Sequence, residues 1–446
     1  MFSNYRNLNA DSCYIVIKKV VEAIIEKDPS WKFLIAFPKE GFDYVDDGFF
    51  HHKQVKRIPI ELPKRKMDSV IHFNVMYWRK VFNAYTPDIL WNHVPEQGHL
   101  FLNFYTGFDV DMSKLNIVNQ HHYVIHPSLP YPIDTYRAVQ FQSMGSYLVA
   151  LNIFNSKYCR KMFYDVTREV IRDEVKFPEK VVPFRFIPKD YPQPNVPAKT
   201  EQVKIIYNHR LQDYKNYLTT FEMFAQLWTT HKNFKVVVTN PNGANFSKLT
   251  QYPFVEGLSI ANHDAYLKEL ATCHLNVTNT VHETFCISAL ESLAMGQIVV
   301  APNAITFPEI TPPEYEWLFN NEEHQYRLLD KLLTNPSIFD EQRDKIKNWT
   351  RDYYASEKIA DDYISTFNEL VELEWTTDNF KPDTLEKFKR ILKGKRGFVT
   401  LTDIQKELGQ ANLGKQAFPL MKIKRCLNKM GYIDEIRGIE QGILVQ

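Results

Sequence analysis

At 446 residues the chain is long enough for two full domains and a small third one. Hydrophobic residues make up 44% and aromatics 14%, ample for large cores, while a net charge of +1 points to no polyanionic partner by itself. Five scattered cysteines (Cys13, Cys159, Cys273, Cys286, Cys426) without a C-x-x-C pair argue against a disulfide framework or a zinc site. No run approaches the roughly 18 apolar residues of a membrane helix, and the first residues lack a signal-peptide layout, so a soluble cytoplasmic protein is expected.

In chain order, apolar residues at helical spacing over "SCYIVIKKVVEAIIEK" predict a first helix with little room for a strand before it. "WKFLIAF" (31–37), "DILWNHV" (88–94), "NIVNQHHYV" (116–124) and "YLVALNIFNS" (147–156) read as strands. Between the first two, "LPKRKMDSVIHFNVMYWRKVF" places Lys64, Arg65 and Lys66 before an aromatic-rich helix. That segment reads as an ordinary helix with a basic start, or as a patch facing a membrane or a nucleic-acid backbone. Residues 1–175 thus form one Rossmann-like α/β unit.

Pro178, Pro183, Pro188, Pro192, Pro194 and Pro197 crowd the segment 176–200 and mark it as a linker. The pattern then restarts: strand "VKIIY", helix "YLTTFEMFAQLWTTH", strand "FKVVVTN", helix "HDAYLKELATC", strand "HLNVTNT", helix "ISALESLAMG", strand "IVVAP". Residues 201–376 form a second Rossmann-like unit, closed by the long amphipathic helix "SEKIADDYISTFNELVELEW". Two such units face a cleft, where ligands usually bind.

The end differs. Residues 381–446 hold 14 basic against 7 acidic side chains, leaving the remainder at −6. Three short helices followed by two apolar runs around Gly438 and Gly442 follow the order of a winged helix-turn-helix. Lys422, Lys424, Arg425 and Lys429 of its third helix are the candidate DNA contacts, the alternative being a solvated helix of a protein-docking domain.

Chemistry concentrates in "HETFCISALESLAMGQIVVAP" (282–302), where Glu283 and Glu291 stand eight apart. On one helix they would be about 12 Å apart and rotated by roughly 80°, unsuited to flanking one hydrolysed bond. They suit an elongated ligand gripped at two places. Thr284 is a candidate N-cap, and the amides of Phe285 and Cys286 would then face a phosphate. "YNHRLQDYKNY" sets Arg210 and Lys215 in a loop after a strand, two cations that complement a diphosphate.

"HRLQDYKN" followed about seventy residues on by "HETFCISALESLAMGQIVVAP" resembles the R-x4-K and E-x7-E signatures of retaining GT-B glycosyltransferases, across 203–310. The resemblance implies an α/β fold of two Rossmann-like domains, the first on the acceptor side and the second binding the nucleotide sugar. It implies that Arg210 and Lys215 hold a UDP-sugar's diphosphate, Glu283 the sugar hydroxyls and Glu291 the ribose, with residues 254–257, Gly257 included, near the base. It also implies a catalytic histidine in "NQHHYVIHPS"; His121 is the first choice, with His122 and His126 open. No metal or permanently bound cofactor is required if Arg210, Lys215 and a helix N-terminus neutralise the diphosphate. Asn208 and His209 depart from the usual small residue before the arginine, and Asn216 and Cys286 stand where glycine is common.

With its basic tail the chain is also similar to bacteriophage DNA glycosyltransferases, which attach sugars to hydroxymethylated pyrimidines. That implies double-stranded DNA as partner, a base turned out of the duplex, the host cytoplasm as location and no stable membrane association. Two alternatives remain: a soluble glycosyltransferase of saccharide or glycolipid acceptors, and a non-catalytic nucleotide-sugar or DNA-binding protein. The presence of all four of Arg210, Lys215, Glu283 and Glu291 speaks against the last.

Overall fold

The computed structural model describes residues 12–38, 48–60, 75–85, 87–101, 116–126, 135–147, 149–170, 177–196, 202–239, 244–260, 262–371, 382–410, 423, 427, 430, 433–437 and 440–445. The first helix runs Ser12–Lys27, the span its periodicity predicts. β1 (Phe33–Pro38) and β2 (Val55–Ile60) pair in parallel. β3 (Ile89–Asn92), β4 (Asn116–His121), β5 (Leu151–Phe154) and β6 (Glu179–Val181) form a parallel sheet in chain order. Every residue of β4 and β5 is buried, as expected of central parallel strands covered on both faces. β6 falls inside the proline-rich segment; it is an edge strand, where flanking Pro178 and Pro183 cost least.

The second unit holds β7 (Val203–Tyr207), β8 (Phe234–Val238), β9 (Val255–Gly257), β10 (Leu275–Val277), β11 (Ile298–Pro302) and β12 (Leu318–Phe319). All pair in parallel, in the order β12-β11-β10-β7-β8-β9. This is the doubly wound arrangement, in which strand order reverses between β7 and β10 and opens a crevice at their C-terminal ends. Gly296 lets the helix Ile287–Ala294 end sharply into β11: its φ is +74°, and an added Cβ would meet the Arg343 backbone at 2.7 Å.

The helix Glu357–Val371 ends the second unit in sequence but packs on the first. Tyr363 Oη donates to Gln120 Oε1 (3.0 Å) and Asn116 Nδ2 to the Leu370 carbonyl (3.4 Å). The Phe367 ring lies against Trp31 and Trp91. One apolar cluster consequently spans both units, from Val20 and Ile153 to Ile205 and Val299.

The tail contributes the helix Pro382–Leu392, β13 (Gly397–Thr400), the helix Leu401–Gln410, β14 (Ile433–Arg437) and β15 (Glu440–Val445). Its strands form an antiparallel sheet ordered β13-β15-β14. Phe388, Leu392, Leu401, Ile404, Ile423 and Leu427 share one buried cluster with Phe82, Phe101, Ile117 and Phe163 of the first unit. Tyr147 Oη and Thr402 Oγ1 share a hydrogen bond across that contact. The tail is therefore docked on the first unit. Lys422, Lys424, Arg425 and Lys429, and likewise Lys64, Arg65 and Lys66, lie outside the described residues. No described helix is long and apolar enough to cross a membrane.

Candidate functional site

The loops after β7 and β10 meet at the strand-order reversal. After β7 the chain passes Asn208, His209 and Arg210 into a short turn at Asp213–Lys215, then the helix Tyr217–Thr230. Lys215 forms an ion pair with Glu283 from the loop after β10. Burial opposes charge on both groups, yet each stands displaced toward its charged form by the other: the Lys215 pKa is raised and that of Glu283 lowered. Arg210 is exposed, and among the described residues no carboxylate pairs with it. A largely buried Lys–Glu pair in a loop cluster that also carries an exposed arginine fits a ligand with both hydroxyls and negative charge.

The two family departures at glycine positions share a physical cause. Asn216 adopts φ 49° and Cys286 φ 58°, both left-handed. Asparagine tolerates that region; cysteine is strained there. Cys286→Gly is expected to be neutral or stabilising, and Cys286→Val to cost about 1–3 kcal/mol, as thermal melting would show.

Cys286, not Thr284, occupies the N-cap of the helix Ile287–Ala294, and it caps without a side-chain oxygen. Glu283 precedes that helix, so the glutamates do not share one. Thr284 acts elsewhere: its Oγ1 donates to the His122 carbonyl (2.7 Å) in the first unit. Ser156 Oγ, itself the N-cap of Lys157–Thr167, donates to the Thr284 carbonyl (2.6 Å). The Glu309 carboxylate accepts from the Lys157 and Tyr158 amides at 2.7 and 2.6 Å. The C-terminal strand ends of the two sheets thus meet. Phe285 is buried edge-on to Phe184 and Tyr354, so only its backbone is available to a ligand.

Glu291, on the second turn of the helix, is buried and accepts from His263 Nε2 (2.8 Å). The Glu291 hydrogen bond raises the His263 pKa and Tyr266 also bonds this carboxylate. Asn208 Nδ2 donates to Tyr266 Oη (2.9 Å) and to the Ser288 carbonyl (3.1 Å), and Asn208 Oδ1 accepts from Asn276 Nδ2 (2.8 Å). His263, Tyr266 and Asn208 as supports of Glu291 escaped the sequence reading, though Asn208 stood out as a departure from the family. Gly257 ends the edge strand β9, where a Cβ would fall 2.2 Å from the Phe246 ring, reason enough for glycine there.

His121 does not reach the cleft. It is fully buried, stacked on Phe154 (4.5 Å), with Nε2 3.1 Å from Asn152 Oδ1. The end of an apolar run was a poor guide because β4 is covered on both faces. His122 lies one residue on and is half-buried, its Nε2 2.6 Å from Nδ1 of His93, which is half-buried as well. His126 is close enough to His282 to disfavour its protonation. His122 thus stands at the contact between the two units, where its carbonyl accepts from Thr284 Oγ1.

Burial depresses the pKa of His93, His121, His209, His274 and His282, to about 4 for His121, His274 and His282 and about 3 for His209. A histidine held below its unfolded pKa near 6.5 gives stability that is full above that value and lost as pH falls toward the folded one. Melting temperature is accordingly expected to fall steeply between pH 6.5 and 4. In the tail, Lys395, Arg396, Phe398 and Lys406 line a groove with Asp403 and Glu407. Among the described residues, no group of three or more His, Cys, Asp or Glu is placed to hold a metal ion.

Comparison with known proteins places this geometry. Residues 192–352 match the family described as "Glycosyl transferases group 1". A curated relative, the tRNA-queuosine alpha-mannosyltransferase of Drosophila melanogaster, is 26% identical over 182 residues, 38% of this chain and 46% of the relative. The chain thus spans about half the length of that relative. Sucrose-phosphate synthase from Thermosynechococcus elongatus superposes with a TM-score of 0.65 at 13% identity, covering 80% of this chain and 93% of that one. Anabaena HepE, solved with UDP and glucose, gives 0.59 at 12% identity over 80% and 96%. These identities show shared fold alone: the two-domain GT-B architecture. The family match falls on the second unit and its closing helices, residues 192–352.

Proposed function

We propose that this protein is a retaining glycosyltransferase that moves a sugar from a UDP-sugar to a hydroxymethylated base in DNA. The observation that carries the reading is the Lys215–Glu283 pair at the strand-order reversal, with exposed Arg210 in the same loop as Lys215 and a helix start three residues after Glu283. First-turn amides have no intrahelical partner and favour phosphate oxygens. Arg210, Lys215 and those amides neutralise the diphosphate; Glu283 takes the sugar hydroxyls, and Glu291, steadied by His263 and Tyr266, takes the ribose. Attack is front-face, the leaving phosphate accepting the acceptor's proton, so the protein acts by positioning and electrostatics. HepE's solved complex with UDP and glucose supports the donor class.

Two features support a nucleic-acid acceptor. The tail is strongly basic; its described elements run helix, strand, helix and a two-stranded hairpin, and a groove there carries Lys395, Arg396 and Lys406 beside Asp403 and Glu407. The Drosophila relative, by its name, mannosylates queuosine in tRNA. That relative favours one second reading, a modified nucleoside in structured RNA. The test is a screen of UDP-sugars and GDP-mannose against duplex DNA containing cytosine, 5-hydroxymethylcytosine or 5-hydroxymethyluracil, and against bulk tRNA. Nucleosides would be read by mass spectrometry. A hexose or pentose mass gain on a hydroxymethylated base is expected; gain only on tRNA moves the acceptor to RNA. Donor hydrolysis with gain on neither removes nucleic acid as the acceptor.

A further inference from the structure

His209 stands where the family's signature carries a small residue, and the structure gives it an environment that packing does not explain. It is 5% exposed at the C-terminal end of β7, its ring edge-on to Tyr207 (5.7 Å, 72°). Nδ1 lies 3.4 Å from the Ser288 hydroxyl in the first turn of the helix Ile287–Ala294. Among the described residues Nε2 has no hydrogen-bond partner. A buried polar nitrogen left unpaired is destabilising, and a core position could carry phenylalanine without that cost. The ring also lies close enough to Lys215 and Glu283 for both charges to act on it.

We propose that His209 is a further donor-binding residue, its Nε2–H donating a hydrogen bond to an oxygen of the distal phosphate of the nucleotide sugar. This inference rests on the donor reading above. With the Ser288 hydroxyl donating to Nδ1, the single proton of the neutral ring sits on Nε2, which makes that nitrogen a hydrogen-bond donor. Burial, followed by the Lys215 charge, holds the imidazole neutral across the working pH range, so it supplies a directed dipole and not a cation. Close to both Lys215 and Glu283, it adjoins the two groups assigned above to diphosphate and sugar. The role is positioning and recognition of the donor; no proton transfer is assigned to it.

The test is calorimetric titration of the full chain with UDP, UMP and UDP-glucose, at pH 6 and 8. His209→Ala is expected to weaken UDP and UDP-glucose about 10- to 100-fold, the range of one hydrogen bond to a charged group, and to leave UMP unchanged. His209→Gln, which keeps an N–H donor, is expected to recover part of the loss. The wild-type affinity should not follow an ionisation between pH 6 and 8. Equal UDP affinity in wild type and a folded His209→Ala, or equal loss for UMP and UDP, would overturn the proposal and leave a packed core histidine. If Lys215→Ala loses UDP while His209→Ala does not, the donor reading stands and the His209 role alone fails. If the wild type binds no nucleoside diphosphate, GDP and ADP included, both fail together.

Discussion

Glu283→Ala should lower sugar transfer at least about a hundredfold, the scale of removing one preorganised contact at the reacting centre. Part of that loss is electrostatic: the mutation leaves the Lys215 ammonium, now held by Glu283, buried without its partner. Breaking such a pair costs about 3–5 kcal/mol when both groups are buried, and Glu283 is the more exposed of the two, so the low end is expected. The double variant Lys215→Ala/Glu283→Ala should be more stable than Glu283→Ala alone, because the orphaned charge is gone. Glu291→Ala should behave differently. In the proposed role it holds the ribose, away from the reacting carbon, so KM for the donor is expected to rise while kcat changes little. Steady-state kinetics with thermal melting separates these outcomes; full activity in either single variant would remove that residue from the site.

Neutralising Lys422, Lys424, Arg425 and Lys429 to alanine is expected to weaken duplex binding and flatten its salt dependence. Each lost phosphate contact removes about 0.9 from the slope of log affinity against log salt, so four contacts flatten it by roughly 3–4. The four substitutions are the appropriate test, because deleting residues 381–446 would strip Phe388, Leu392, Leu401 and Ile404 from a core shared with Phe82, Phe101 and Phe163. A truncated chain would lose nucleic-acid binding by unfolding its first unit. An unchanged salt slope in the quadruple variant, with melting temperature intact, would show that these cations do not hold the acceptor.

The sequence made the fold visible where strands are apolar on both faces. "VKIIY", "FKVVV" and "IVVAP" could only be buried parallel strands, and they are β7, β8 and β11. What it concealed was long-range placement. The helix Glu357–Val371 follows the second unit, yet its Tyr363 and Phe367 are captured by Gln120, Trp31 and Trp91 of the first, and periodicity cannot name a partner. At the site, the R-x4-K and E-x7-E spacings led to Lys215 and Glu283, which touch because their strands are neighbours in the sheet. Thr284 misled because a hydroxyl before a helical run looks like a cap, whereas the chain spends it on the His122 carbonyl. His121 misled for a related reason: a strand's last residue points to the cleft or to the core according to register, and in β4 the core won. Asn216 and Cys286 read as substitutions of glycine; only the backbone angles show that the left-handed conformation remained.

In the proposed reaction the site at the β7–β10 reversal activates a nucleotide sugar with retention. The direct measurement needs no acceptor: proton NMR of UDP-glucose, UDP-galactose and GDP-mannose incubated with the protein, following which anomer of free sugar forms first. Slow consumption of one donor is expected, with the α-anomer leading before mutarotation, and no consumption with Glu283→Ala. Release of the β-anomer first, or an equal rate in the variant, would contradict it.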